Sequence, residues 1–226
     1  MKYKCVKDGY NILITITVVM VISFLFKWIF VSKILFLFLL FSLYFFRDPE
    51  RYVPLMPNVM VSPADGTVLE VKEFFSNELE EDCFKISIFM SVFDVHINRL
   101  PLSGVIERKI YNSGKFFNAS LDKASEHNEK MTYVVNSRDF KYSVTQIAGL
   151  IARRIVSYVK ENDNLKTGDK IGMIKFGSRA EIEVPKKYID INISVGQQVY
   201  AGETVIGTLK EHMNKETTQK DKASCR

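Results

Sequence analysis

Apolar residues are concentrated in two runs near the N-terminus. Gly9–Phe26 is a stretch of 18 residues without a charge, and Ile34–Phe46 is a second uncharged stretch of 13 residues. Lys27 and Trp28 lie between them. At a rise of about 1.5 Å per residue, the first run is roughly long enough to cross a hydrocarbon layer of about 30 Å, whereas the second is too short alone. The pattern predicts two apolar helices that form a membrane anchor over residues 1–47.

Two arrangements of this anchor fit the pattern. If residues 28–46 act together and Lys33 extends its amine to the interface, both helices can cross a bilayer as a hairpin. The alternative is a shallow, interfacial or re-entrant insertion. The hairpin would place four cations on one side of the membrane, which the positive-inside tendency makes the cytoplasm: Lys2, Lys4, Lys7 and Arg47.

A cleaved signal peptide is disfavoured because no A-x-A-like site follows the first apolar run. We therefore expect a protein of the cell membrane whose large domain faces the cytoplasm.

A proline-rich connector separates the anchor from a β-rich domain. Pro49, Pro54 and Pro57 favour a stiff, extended chain. Beyond them, the domain is expected over residues 58–209, followed by a polar flexible tail at 210–226. Short apolar or alternating runs bounded by turn residues predict strands in the domain, at Thr67–Val71, Lys85–Ser91, Gly104–Tyr111, Met131–Asn136, Phe140–Thr145, Ile171–Phe176 and Arg179–Val184.

One segment of the domain has helical spacing instead. Apolar residues at positions 147, 150, 151 and 155 recur at intervals of three and four. This spacing predicts a helix over residues 146–156.

The C-terminal third contains a glycine quasi-repeat. Lys166–Ile174 and Val195–Gly207 share the order glycine, polar pair, apolar residue, then glycine before an apolar residue. Short strands joined by glycine turns suit a small sandwich similar to lipoyl and biotinyl carriers. The predicted fold is mainly β with α: an N-terminal apolar helical anchor, then a β-rich domain containing a lipoyl/biotinyl-like barrel-sandwich substructure.

Charge and cysteine content narrow the classes of partner. The net charge of +5, without a block of five consecutive basic residues, suits an anionic membrane surface and gives no support for nucleic-acid binding. The scattered Cys5, Cys83 and Cys225 have no metal-ligand spacing and favour a reducing compartment over a disulfide framework. We therefore expect no metal site.

The dipeptide Gly177-Ser178 is the first candidate for chemistry. Gly-Ser is common in turns, but here an apolar strand precedes it and an alternating strand follows it. If a serine Oγ attacks the carbonyl of the preceding residue, the backbone must adopt a geometry that glycine permits and other residues resist. Such an attack also needs a nearby base.

Histidine is the usual base at neutral pH, and the chain has three. His212 lies in the polar tail, and His127 lies in a polar stretch that is more typical of a surface. His96 is the best candidate because it follows a predicted strand and lies among the polar residues Asp94, Asn98 and Arg99.

A third group should hold the imidazole in one tautomer. Asp65 in the sequence Ser62-Pro-Ala-Asp-Gly66 is the best candidate, although Pro-x-Asp-Gly also forms a turn by itself. Asp94 is close to His96 in sequence and stays an alternative.

Six stretches together resemble the short form of the phosphatidylserine decarboxylase family. They occur in the family's order and span residues 62–203. Lys130 departs from the family pattern, which more often has arginine there, and His127 is not part of it. The stretches are Ser62–Gly66, Asp94–Pro101, Asn128–Lys130, Gln146–Arg154, Gly172–Arg179 and Val195–Glu203.

The resemblance implies a proenzyme that cuts itself between Gly177 and Ser178. It implies that Ser178 becomes a covalent pyruvoyl group, with His96 as base and later acid and Asp65 orienting it. The pyruvoyl ketone would form a Schiff base with phosphatidylserine and release CO₂ and phosphatidylethanolamine. Chain 1–177 would stay with chain 178–226, and a homo-oligomer is among the open alternatives.

Arg153 and Arg154 are candidates for binding the lipid phosphate, although they could equally form a solvated surface. A membrane-anchored adaptor with a lipoyl-like sandwich is an alternative from another class, but it leaves Ser178, His96 and Asp65 unexplained. A substrate with a different lipid backbone, such as an ether lipid, also stays open.

Overall fold

A computed structural model describes residues 4–114, 128–137, 140–149, 155–175 and 178–210. Its helices are α1 Tyr10–Leu25 and α2 Ile29–Phe45, with one-turn 3-10 helices at Lys7–Gly9 and Lys186–Tyr188. The strands are β1 Val59–Val61, β2 Gly66–Ser76, β3 Glu81–Met90, β4 Ile97–Arg99, β5 Gly104–Asn112, β6 Lys130–Asn136, β7 Lys141–Ala148, β8 Ile155–Ser157, β9 Asn164–Leu165, β10 Lys170–Ile174, β11 Ser178–Pro185, β12 Ile189–Ile191, β13 Gln198–Val199 and β14 Val205–Leu209.

The helices α1 and α2 form a hairpin, here called the anchor hairpin. The chain reverses at Lys27, which adopts a positive φ of 59°. The two ends of the hairpin are joined by an isolated β-bridge between Cys5 and Arg47. The described helix over Lys7–Leu25 is long and apolar enough to cross a membrane, whereas Ile29–Phe45 is apolar but shorter. Most of the large apolar side chains of the anchor hairpin are exposed, which is typical of a segment that lies in lipid.

The domain that follows is mainly β, as the sequence predicts. Its largest sheet has eight antiparallel strands in the order β13-β2-β3-β11-β7-β6-β5-β9. Two three-stranded sheets complete it, with the orders β4-β10-β8 and β1-β14-β12. Every predicted strand corresponds to an observed one, with ends that differ by a few residues.

The two faces of β11 differ sharply in chemistry. Ala180, Ile182 and Val184 point into the main apolar core. The alternate residues Arg179 and Glu181 are also buried, and they form an ion pair of 2.9 Å between Nε and Oε1. Because side chains alternate along a strand, Ser178 lies on the same side of β11 as the apolar core residues.

The predicted helix over residues 146–156 is wrong for the part that the structure describes. Gln146, Ile147 and Ala148 belong to β7 and pair with β11, and Ile155 and Val156 belong to β8; residues 150–154 lie outside the described residues. A strand buried on both faces can carry apolar residues at consecutive positions, and a short run of that kind imitates helical spacing.

The two halves of the glycine quasi-repeat lie in separate parts of the fold. Lys166–Ile174 contributes β10, whereas Val195–Gly207 contributes β13 to the eight-stranded sheet and most of β14 to another sheet. The lipoyl-like substructure therefore stays a prediction.

Gly66, directly after Asp65, shows where this fold requires glycine. Its φ is +147°, and a Cβ there would lie 2.0 Å from the carbonyl oxygen of Phe89. We expect Gly66→Ala to lower the free energy of unfolding by roughly 3 kcal/mol or more, because overpacking adds to backbone strain. Gly196 is the matched control, since its φ is +87° and a Cβ would meet no atom within 4 Å.

Gly196→Ala should therefore cost only about 1 kcal/mol of backbone strain. Urea unfolding of both variants in detergent, on a Ser178→Ala background, measures the difference. Equal losses in the two variants would show that the close approach to Phe89 has no energetic consequence.

Candidate active site

Ser178 is the first residue of β11, in the middle of the eight-stranded sheet. It pairs with Met90 of β3 on one side and with Ala148 of β7 on the other. The residue has no exposed surface, and its Oγ finds no hydrogen-bond partner within the described part of the chain. A buried hydroxyl without a partner costs free energy and calls for an explanation, of which a reacting atom as partner is one. Gly177, the other half of the predicted cleavage site, lies outside the described residues.

His96 is held next to the strand that leads toward Ser178. It precedes β4, whose Ile97 pairs with Met173 of β10. The amide of Ile174 donates a hydrogen bond of 3.2 Å to the carbonyl oxygen of His96. β10 ends at Ile174, four positions before Ser178, so the backbone brings the predicted base and the predicted nucleophile into one region.

The contacts of the His96 ring select one tautomer. Nδ1 lies 2.9 Å from the carbonyl oxygen of Asp94. Because a carbonyl can only accept, Nδ1 must carry the proton, and Nε2 is then left with a free lone pair. Nε2 is buried and has no hydrogen-bond partner among the described residues. Burial lowers the pKa of His96 to about 4, so the ring is neutral at pH 7 and Nε2 can accept a proton.

The loop that carries His96 is shaped by the side chain of Asp94. Its Oδ2 accepts hydrogen bonds from the amide of Ser91 at 2.8 Å and from the Ser91 hydroxyl at 2.7 Å. This small turn fixes the backbone of residues 91–94 and therefore aims the Asp94 carbonyl at His96. Asp94, which the sequence left as the alternative, orients the imidazole through its main chain.

The carboxylate of Asp65 has other hydrogen-bond partners. Oδ2 accepts from Arg51 at 2.5 Å, and Oδ1 accepts from the amide of Ala201 at 2.8 Å. Burial raises the pKa of Asp65, while the Arg51 guanidinium and the Ala201 amide lower it. Arg51 also pairs with Glu203 at 3.1 Å. Asp65 thus ties the proline-rich connector to the segment after Ser178, and its effect on His96 stays a prediction.

A buried polar network lies beside these groups. The Gln146 amide donates to Asn98 Oδ1 at 2.8 Å, and Tyr133 donates to Gln146 Oε1 at 2.7 Å. Gly172 is required next to it, because a Cβ there would lie 2.9 Å from the Gln146 amide and 2.5 Å from the Val156 carbonyl oxygen. Sequence reasoning noted Asn98 among polar neighbours of His96 but missed Gln146 and Tyr133. The apolar residues around Gln146 concealed its role.

Several predicted residues fall outside the described parts of the chain. They are the candidate phosphate ligands Arg153 and Arg154, and also His127, His212 and Cys225. Within the described residues, Cys5 and Cys83 are free thiols and no group of three potential metal ligands is present.

Comparison with known proteins defines the class of the chain. A family model described as Phosphatidylserine decarboxylase matches residues 38–207, which include Asp65, His96 and Ser178. The protein is thus a decarboxylase, an enzyme of the lyase class, which favours the enzyme over the adaptor. It belongs to the phosphatidylserine decarboxylase family.

Individual relatives agree with this assignment, and each is named phosphatidylserine decarboxylase proenzyme. A protein of Syntrophus aciditrophicus (strain SB) is 50% identical over 171 residues, which are 75% of this chain and 80% of the relative. One from Carboxydothermus hydrogenoformans is 43% identical over 205 residues, 90% of this chain and 96% of the relative. One from Wolbachia sp. subsp. Brugia malayi is 42% identical over 219 residues, 94% of this chain and 93% of the relative.

Proposed function

We propose that this chain is a proenzyme that converts phosphatidylserine to phosphatidylethanolamine and CO₂, with a pyruvoyl group made from its own Ser178. The observation that carries the proposal is the buried, unpartnered Oγ of Ser178 at the start of β11. A structural serine at such a position would be expected to have a partner. The names of the relatives supply the substrate, and the word proenzyme in those names supports a cut.

The proposed cut uses Ser178 as nucleophile and His96 as base. His96 Nε2 takes the proton from Oγ, which attacks the carbonyl carbon of Gly177 and turns the peptide bond into an ester. Elimination across Cα and Cβ of Ser178 then releases chain 1–177 with a free carboxylate and leaves a dehydroalanine. Its enamine rearranges to an imine, and water replaces the nitrogen as ammonia, so that residue 178 becomes pyruvoyl at the start of chain 178–226.

In turnover, the protein residues position the substrate and move protons. The pyruvoyl ketone supplies an acceptor for the electron pair that CO₂ leaves behind. In the proposal, His96 returns a proton to the substrate α-carbon, and its low pKa makes it a good acid once charged. Asp65 contributes a buried carboxylate, and we assign the lipid phosphate to Arg153 and Arg154.

The membrane supplies the substrate. In the proposal, residues 1–47 insert in the bilayer as the anchor hairpin, residues 58–209 form the catalytic domain on the cytoplasmic side, and 210–226 is a tail. The anchor hairpin has both its ends on the side of the domain, as a bridge between Cys5 and Arg47 requires. The cations at this end of the hairpin, Lys4, Lys7 and Arg47, favour an anionic lipid surface.

Intact mass under denaturing conditions tests the proposal. The purified full-length enzyme should give two fragments divided between residues 177 and 178, and the smaller should have no free amino terminus. Ser178→Ala should give one uncut chain without decarboxylase activity. Cyanoborohydride added together with phosphatidylserine should inactivate the cut enzyme and increase the mass of fragment 178–226 only.

Ser103→Ala is the control for handling and folding, because Ser103 lies at the surface and bonds Thr167. It should cut and decarboxylate normally. The mechanism fails if Ser178→Ala still releases CO₂ from phosphatidylserine, or if the active wild-type enzyme is a single chain with an ordinary serine at position 178.

A further inference from the structure

The end of the anchor hairpin packs directly on His96. The ring of Phe45, the last residue of α2, lies 4.4 Å from the imidazole between centroids, at an interplanar angle of 39°. Both side chains have no exposed surface. Phe45 belongs to a small apolar cluster that is separate from the main core; its other buried members are Val6, Phe46, Val95, Ile97 and Met173. The anchor hairpin therefore covers one face of His96, the predicted general base.

Hydrogen bonds hold the domain-proximal end of the anchor hairpin, residues 4–9 and 45–48, in this place. The amide of Val6 donates to the carbonyl of Phe46 at 2.9 Å, and the amide of Asp48 donates to the carbonyl of Lys4 at 2.7 Å. A Cβ on Gly9 would lie 2.5 Å from the Phe46 ring, so the chain can approach only as glycine. These contacts set the position of the last turn of α2, and with it the ring of Phe45.

The domain-proximal end of the hairpin also contacts both segments that carry the predicted reacting groups. Arg47 donates to the carbonyl of Phe93 at 2.7 Å, in the loop that carries His96. Lys175, three positions before Ser178, donates to the carbonyl of Asp8 at 3.2 Å. The Asp8 carboxylate accepts a further bond of 2.8 Å from Tyr158. A hairpin that only attached the domain to a membrane would not need contacts with both of these segments.

We propose that the domain-proximal end of the anchor hairpin is part of the catalytic site. Phe45 is a positioning residue there, which fixes the His96 ring and keeps water from it. Removal of the hairpin would then change the chemistry of His96 and not only the location of the enzyme. The proposal rests on the role of His96 given above, although the packing of Phe45 on the ring can be tested without it.

The apolar cover over His96 matters because it affects the pKa of the ring. Burial is the main cause of the low pKa of His96. The charged groups that act on the ring are Asp94 on its own loop, which raises the pKa, and Arg47 just beyond α2, which lowers it. On β10, the apolar Met173 packs in the same cluster as Phe45. Loss of the Phe45 ring would admit water, and the pKa of His96 should then return toward its ordinary value.

Histidine NMR titration of the full-length chain in nanodiscs tests this, with Ser178→Ala present so that the chain stays uncut. The His96 signal is the one lost in His96→Gln. We expect its pKa to rise from about 4 toward 6.5 in Phe45→Ala and to stay near 4 in Phe45→Leu, which keeps an apolar cover. Phe36→Ala, at an exposed position of α2, is the control and should cause no change.

The same variants with Ser178 restored give a second readout. The rate of cutting in Phe45→Ala should fall as the pH drops below about 6.5, where wild type is unaffected, because the neutral ring is the base. An unchanged pKa and pH profile in Phe45→Ala would overturn the proposal. If Phe45→Ala does not fold, Phe45→Val is compared with Phe45→Leu: the His96 pKa should be higher in Phe45→Val, which covers less of the ring, and equal values in the two variants would overturn the proposal. Normal cutting in His96→Gln would instead remove His96 from the proposed mechanism and leave the packing result intact.

Discussion

The His96→Gln proenzyme is expected to remain almost entirely uncut. Glutamine keeps a similar size and can still donate to the Asp94 carbonyl, but it has no basic nitrogen at the position of Nε2. Loss of a general base typically slows a reaction by about 10²–10⁴, so cutting should take hours or days where wild type is complete. Denaturing mass spectrometry during cell-free synthesis measures how fast fragment 178–226 appears.

The other two histidines provide the controls for this result. His127→Gln and His212→Gln should cut at the wild-type rate, because neither is placed in the proposed chemistry. In wild type, cutting should be constant above about pH 5 and decline as the pH approaches the His96 pKa of about 4, since protonation removes the base. A His96→Gln chain that cuts as fast as wild type would remove His96 from the mechanism.

The strands of this fold could be predicted from local pattern because alternation is a property of neighbouring residues. Val144, buried on one face of β7, and Ser143, buried on the other, illustrate the limit of that reasoning. A strand covered on both faces has no simple alternation, so the segment from Gln146 was predicted as a helix. Only its pairing with β6 and β11 reveals a strand.

The site could be predicted in part. Ser178 and His96 were candidates because nucleophile and base chemistry requires particular residue types, and a family resemblance supplied their order; their reacting roles stay predictions. The partners of the ring could not be predicted, since the Asp94 contact is made by the main chain and has no side-chain signature. Phe45 was hidden for a different reason. One more phenylalanine in an apolar helix is typical of lipid contact, and only the tertiary structure shows that it packs on His96.

Substitution of Asp65 should separate a role in chemistry from a role in holding the chain together. Asp65→Asn keeps an oxygen for the Ala201 amide and loses the negative charge that pairs with Arg51. If that charge supports the developing imidazolium of His96, cutting should slow by roughly 10²–10⁴, as for the orienting carboxylate of a catalytic triad. The rate should not recover at any pH, because an amide does not ionise.

Arg51→Met is the matched variant, because it breaks the same ion pair from the other side. Burial raises the pKa of Asp65 and Arg51 lowers it, so removal of Arg51 should raise that pKa further. The pH at which Arg51→Met begins to cut should therefore lie above that of wild type, and its rate should recover as the pH is raised and Asp65 ionises. If both variants are slowed equally at every pH, the ion pair acts only by holding the connector against the segment that contains Ala201 and Glu203, and Asp65 has no part in the chemistry. Normal cutting in Asp65→Asn would also remove Asp65 from the chemistry, since its charge would then be dispensable.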